Sequence, residues 1–289
     1  MRKFIKTILK LLLFILLIDT FYFIILYNID FTTSKSIEIQ KRNFQKDKWV
    51  TLGNSLALDG INSSVLEQSF SQGYNISIPG IGTKSMYELW SYKKSEFDSL
   101  KFIIIGFNSK YIVGNSGNNP LMNIYSDENK GFIYNYMKIF PSIIKLKWLH
   151  IELLKRLVSS EHRNAFLEKG QLISNKVIFD NSNVVDSECY PILDRYVGDY
   201  YLSKIISESI EMGIRPIIVE MPLWKDSKNS CPVKINTDSK SKIIIFNLNS
   251  KTDELISDDS WLSRDHLNLK GSLELSLYLR ELIKTEIDY

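Results

Sequence analysis

Short apolar runs without polar alternation recur along this chain, and stretches with helical spacing separate them. Residues 49–52 read as a first strand, Trp-Val-Thr-Leu. Residues 59–70 read as a helix with Ile61, Val65, Leu66 and Phe70 on one side. A second strand is expected over 75–78, stopped by Pro79 and Gly80, then a helix over 83–97. Residues 102–105 form a buried strand that ends at Gly106, Phe107 and Asn108. A helix is expected over 196–212, with Leu202, Ile205, Ile206 and Ile210 inward and Gly213 as its stop. Strands follow over 217–219 and 243–246. The closing helix starts after Asn268, a good N-cap type, with Leu269, Leu273 and Leu277 at helical spacing. Apolar strands joined by helices predict an α/β fold whose parallel sheet is covered on both faces.

Two regions break this rhythm. Residues 11–27 are apolar except for Asp19, Thr20 and two tyrosines, and Arg2, Lys3, Lys6 and Lys10 precede them. That length suits a membrane-spanning helix, and the basic cluster predicts a cytoplasmic N-terminus with the body outside. No small-residue cleavage site follows the run, so residues 1–27 read as an uncleaved signal anchor. Polar residues 28–47 read as a stalk, and residues 48–289 as the α/β domain. The second break, about 110–195, reads as a helical insertion that carries loop chemistry at 115–120 and a helix from Pro141 to about Val158.

The formal charge of +3 is accounted for by the anchor, which leaves residues 28–289 neutral. A neutral body lacks the basic footprint of a nucleic-acid binder. Cys189 and Cys231 are the only cysteines, and His150, His162 and His266 the only imidazoles. One disulfide is permitted, a metal site is not indicated, and no cofactor is expected. Asp19 inside the apolar run suggests contact with a polytopic membrane protein; the plainer reading is a protonated or snorkelling side chain. The helix after Pro141 carries Lys145, Lys147, His150, Lys155 and Arg156 opposite Ile144, Leu149, Leu153 and Leu157. It suits a membrane-surface helix or a lid, or simply a solvated basic face. Trp148, Tyr134 and Tyr136 are candidates for stacking on sugars or for packing the insertion.

Four predicted strand or loop ends carry the residue types that acyl chemistry requires. Sites of open parallel sheets form beyond the C-terminal strand ends. Ser55 follows the first strand, Gly80 the second, Asn108 the third, and His266 precedes the last helix. Ser55 supplies a nucleophile and His266 a base. The backbone N–H groups of Ser55 and Gly80 and the Asn108 side-chain amide are candidate oxyanion donors. Singly, each has a plainer role: Ser55 as a cap, His266 as packing, Asn108 and Gly80 as turn residues.

In order, the four blocks resemble those of the SGNH hydrolases, or GDSL lipase/esterase superfamily. Gly53-Asn54-Ser55 resembles the family's Gly-Asp-Ser. Asn75 to Gly80 has its Asn-x-x-x-x-Gly form, and Gly106-Phe107-Asn108 its Gly-x-Asn. His266-Leu267-Asn268 with Gly271 resembles the tail of its Asp-x-x-His block. The resemblance covers about residues 48–109 and 196–285. It implies a three-layer α/β/α sandwich with a flavodoxin-like parallel sheet and a Ser-His-Asp triad.

The chain departs from the family at two positions. Asn54 replaces an Asp that is not itself the nucleophile. Ser263 stands where the triad Asp is expected, and Asp265 adjoins His266 instead. Adjacent side chains usually diverge. Ser263, a backbone carbonyl, Asp265, or Asp258 or Asp259 on a curled loop are therefore all candidates to orient the imidazole. Asp265 also suits a helix N-terminus as favourable negative charge.

The resemblance and the anchor together imply an exported serine esterase or O-acyltransferase, with acetyl as the expected acyl group. Its substrate would be a cell-surface or extracellular polysaccharide, and a polytopic acyl-donor protein its membrane partner. The alternatives are an SGNH-fold binding or assembly factor that has lost turnover, and a lipase or lysophospholipase acting at the bilayer.

Overall fold

The computed structural model describes residues 2–29, 31–108, 166–173, 199–224 and 243–287. The chain divides into two compact units. The first contains helices α1 (Arg2–Ile29) and α2 (Phe31–Lys41). The second contains the strands of the parallel sheet and the helices that pack on them.

The expected span at 11–27 lies within α1, but side chains 19 and 22–29 lie outside the described set. Among the described residues no helix is long and apolar enough to cross a membrane. The described side chains of α1 do include exposed Phe4, Leu9, Leu12, Phe14, Leu17 and Phe21. The segment read as a stalk is helical over α2.

Strands β1 (Trp49–Gly53), β2 (Gly73–Asn75) and β3 (Phe102–Phe107) are three of the sheet's five strands. Strands β6 (Arg215–Glu220) and β7 (Ile244–Asn247) complete it. The order is β2-β1-β3-β6-β7 and every pairing is parallel. This is the flavodoxin-like order, in which the chain reverses direction across the sheet between β1 and β3. A ligand crevice belongs there, beyond the carboxyl ends of those two strands.

One face of the sheet is covered by α3 (Ser55–Gly60), α4 (Ser63–Phe70) and α8 (Leu269–Glu286), the last preceded by the short α7 (Thr252–Leu255). Their core joins Trp49, Phe102, Ile104, Ile217 and Val219 to Leu56, Leu66, Phe70, Leu275, Leu279 and Ile283. The alternate strand residues Ile103, Ile105 and Ile218 are just as fully buried, so the opposite face is covered too. Helices α5 (Thr83–Lys93) and α6 (Tyr200–Glu211) pack on one another. The carboxylate of Asp199 links them: it caps α6 at Leu202 N (2.9 Å) and accepts from Thr83 Oγ1 (2.9 Å).

Three local expectations need correction. The helix expected over 59–70 is two helices, because Ile61 is extended and Asn62 caps α4 by accepting from Val65 N. The second strand lies at 73–75, earlier than expected. Ile76 N and Ile78 N still bond to the carbonyls of Thr51 and Gly53, so the chain keeps tracking β1. In α8 the inward stripe is Leu275, Leu279 and Ile283, whereas Leu273 and Leu277 are exposed. Small Ser272 and Ser276 fill the inward face instead; Ser276 Oγ accepts from Asn62 N at 2.7 Å and closes α8 onto the α3–α4 break.

The described part of the insertion region is a hairpin, β4 (Phe166–Glu168) and β5 (Gln171–Ile173), rather than a helix. It is tied to the domain through the Lys169 carbonyl, which accepts from Asn75 N and Ser63 Oγ. The helix expected after Pro141, Trp148, Tyr134, Tyr136, Cys189 and Cys231 lie outside the described residues.

Candidate active site

The end of β1 is packed closely against β3 and α3. Gly53 and Gly106 face each other in register. A Cβ on Gly53 would stand 2.1 Å from the Gly106 carbonyl oxygen and 2.6 Å from Ala57 Cβ. Only glycine permits this approach, and it brings α3 directly off the strand end. Asn54 caps α3 by accepting from Leu56 N at 3.0 Å. An Asp would cap equally well, which accounts physically for Asn54 in the first block. Ser55 is thereby the first residue of α3, half-buried at the carboxyl edge of the sheet.

His266 reaches Ser55 from the far end of the chain. Its Nε2 lies 2.9 Å from Ser55 Oγ, and its Nδ1 lies 2.8 Å from Asp265 Oδ1. Nδ1–H therefore donates to the carboxylate, and Nε2 is left to accept from the serine hydroxyl. Adjacent residues converge because their loop is tightly curled. Leu262 N and Ser263 N both donate to the His266 carbonyl, an isolated bridge pairs Trp261 with Leu267, and Trp224 N donates to the Arg264 carbonyl. The indoles of Trp224 and Trp261 meet edge to face, their centroids 5.6 Å apart.

Ser263 has its own place in this arrangement. Its hydroxyl donates to Asp265 Oδ1 at 2.6 Å and lies 3.1 Å from His266 Nδ1. Burial raises the Asp265 pKa. The hydrogen bond and charge of His266, with the Ser263 hydroxyl, outweigh burial and bring it down to about 2. Burial lowers the His266 pKa, but the hydrogen bond to Asp265 and the charges of Asp59 and Asp265 leave it raised. Asp258 and Asp259, the other carboxylate candidates, are exposed, and Asp259 pairs with Lys270 at 2.6 Å.

Asn108 and Gly80 stand at the neighbouring strand ends. Asn108 is buried two residues beyond Gly106, and its Nδ2 donates to the Met221 carbonyl at 2.7 Å. That bond ties the β3 exit to the β6 exit. Gly80 is exposed two residues beyond Ile78, whose N–H bonds to Gly53. Its φ of +70° explains the glycine, since nothing lies within 4 Å of where a Cβ would sit. Asn75 pins this turn: its Nδ2 donates to the Ala57 carbonyl (3.0 Å) and its Oδ1 accepts from Ser77 N (2.9 Å).

One residue near His266 carries no motif and escaped the sequence reading. Asp59 lies one helical turn after Ser55, its carboxyl is buried, and its Oδ2 is 3.9 Å from His266 Nε2. Burial is the largest influence on it, and the Asp265 charge adds to it. Together they prevail over the attraction of His266 and push its pKa up to about 7. Its spacing of four from Ser55 was the available signal, but the sequence pattern made it only the first residue of a helix over 59–70 and gave it no role.

Among the described residues no group of three or more His, Cys, Asp or Glu is placed to hold a metal ion. No family model matches this chain, and no curated protein matches it.

Proposed function

We propose that this chain is a serine esterase or O-acyltransferase of the SGNH type. The observation that carries the reading is the hydrogen-bonded series Ser55–His266–Asp265, 2.9 and 2.8 Å, at the carboxyl end of β1. The Ser55 hydroxyl attacks an ester carbonyl and passes its proton to His266 Nε2. Asp265 holds the imidazole in the required tautomer and stabilises the imidazolium. His266 then gives the proton to the departing alcohol, which leaves an acyl group on Ser55. Water or an acceptor hydroxyl, deprotonated by His266, takes the acyl group and restores the serine. The backbone N–H groups of Ser55 and Gly80 and the Asn108 side-chain amide are the proposed oxyanion donors.

In this reading the N-terminal helix anchors the enzyme with its domain outside the cytoplasm. The exposed apolar side chains of α1 and the basic residues before them support that arrangement. The acetyl group and the polysaccharide acceptor come from the resemblance. Ser263 at the expected triad position favours the alternative of a non-catalytic binding factor; the 2.8 Å contact of Asp265 with His266 Nδ1 supports the catalytic reading.

The test is p-nitrophenyl acetate turnover by the full chain in detergent, beside Ser55→Ala and His266→Ala. Turnover abolished by both substitutions is expected. Equal turnover by the parent and Ser55→Ala would end the serine-esterase reading.

A further inference from the structure

Among the described residues, His266 Nε2 has two polar side-chain neighbours. Ser55 Oγ lies at 2.9 Å and Asp59 Oδ2 at 3.9 Å, both from the same helix and one turn apart. The Asp59 side chain is buried, and its Oδ1 has no hydrogen-bond partner among the described residues. Gln171, from β5, donates to the Asp59 backbone carbonyl and not to its carboxyl. The Met221 methyl and Leu275 pack on neighbouring Gly60 and bring no charge. Among the described residues, His266 and Asp265, both from the curled loop, are the charged groups that act on the carboxyl. Among the described residues, the titratable group at ion-pair distance from this buried acid is His266, through the nitrogen that Ser55 needs.

We propose that Asp59 is a positioning residue of this site: its carboxyl shares the Nε2 side of His266 with the Ser55 hydroxyl, at ion-pair distance, and its charge sets when Nε2 is free to activate the serine. The proposal rests on Ser55 and His266 as nucleophile and base. At low pH Asp59 is a neutral acid and His266 an imidazolium, so Ser55 has no base. Loss of one proton leaves a single proton shared by the pair. On Nε2 it forms an imidazolium–carboxylate pair that blocks Ser55; on Asp59 it leaves Nε2 free. Loss of the second proton leaves a neutral imidazole that accepts from Ser55 beside an ionised Asp59. The two steps belong to the pair and not to either group. The carboxylate also faces the imidazolium that forms as Ser55 attacks.

The test follows the His266 imidazole by 15N NMR across pH in the full chain, assigned by its loss in His266→Gln. It is paired with the acid limb of kcat/KM for p-nitrophenyl acetate. In Asp59→Asn both midpoints are expected to move to lower pH by about one unit or more, as loss of an opposite charge at this range predicts. Asp59→Glu is expected to restore most of the shift. An unchanged His266 midpoint in folded Asp59→Asn overturns the proposal. If the parent turns over no ester, the esterase reading fails while the NMR arm still decides the Asp59–His266 coupling. Should Asp59→Asn not fold, the Asp59 carboxyl 13C resonance of the parent decides. A titration that tracks His266 supports the coupling, and a lone step at the ordinary carboxylate value, about 3.9, overturns it.

Discussion

Replacing Asp59 by Asn should make the protein relatively more stable as pH rises. The folded-state pKa of Asp59 is pushed up to about 7, chiefly by burial. In an unfolded chain the same group titrates near 3.9. Between those values the folded chain keeps a proton that the unfolded chain releases, so this group makes stability fall as pH rises from about 4 to about 7. Above pH 7 the penalty is constant. A gap of about three pH units at 1.36 kcal/mol each amounts to about 4 kcal/mol. Asn has the size of a protonated Asp and no charge to bury, so it removes this penalty while changing little at pH 4. The raised pKa of His266 acts in the same direction. Its contribution is full below the unfolded value of about 6.5 and is lost as pH rises through the folded value. Removing Asp59 weakens that loss as well. The assay is urea unfolding of the full chain in non-ionic detergent, followed by fluorescence of buried Trp49 and Trp90, at pH 4.5 and pH 8 for both proteins. The variant should gain on the parent by several kcal/mol between the two pH values. Parallel pH profiles for the two proteins would refute the reasoning, because they would mean that Asp59 is ionised in the folded state at ordinary acid pH.

Other perturbations separate the remaining parts of the argument. Asp265→Asn should cut p-nitrophenyl acetate turnover by about 10⁴, through loss of the tautomer that presents Nε2 to Ser55. Ser263→Ala removes the 2.6 Å bond to Asp265 and the 3.1 Å contact with His266 Nδ1 but leaves the Asp265–His266 bond, and should cost about tenfold; a loss equal to that of Asp265→Asn would contradict these separate roles. Gly53→Ala drives a methyl into the Gly106 carbonyl and the Ala57 side chain, and should destabilise by about 3 kcal/mol, read as a lowered Tm. Leu275→Ala should cost about 2–5 kcal/mol in urea unfolding. Leu273→Ser and Leu277→Ser, on the exposed side of α8, should each change stability by less than about 0.5 kcal/mol.

The α8 stripe shows where sequence periodicity reaches its limit. Leu273, Leu275, Leu277 and Leu279 offer two apolar faces of the same helix, and the pattern within the helix does not choose between them. The choice is made by the α3–α4 break, where Asn62 N needs an acceptor and Ser276 Oγ supplies it. That requirement turns Leu275 and Leu279 inward and leaves Leu273 and Leu277 in water. The break itself was harder to read, because Ile61, Val65 and Leu66 continue a helical rhythm across it. Asn62 followed by two serines was the overlooked cap signal.

What the sequence determined by itself is whatever short-range physics decides. The runs at 49–52, 102–105 and 217–219 are too apolar and too short for anything but buried strands, and they are β1, β3 and β6. Asn54 and Asn268 cap their helices because a short polar side chain reaches an N–H only two or three residues away. Ser55 and His266 were legible as strand-end and helix-start residues, and parallel topology brought those ends to one edge. The tertiary structure alone decided which carboxylates meet the imidazole. Asp265 reaches Nδ1 only because bonds from Trp224, Leu262 and Ser263 curl the loop against the rule that neighbours diverge. Asp59 meets Nε2 only because β1, α3 and the last loop converge at the switch point of the sheet. Both contacts depend on distances between segments far apart in the chain or on the curvature of one loop, and residue type and spacing encode neither.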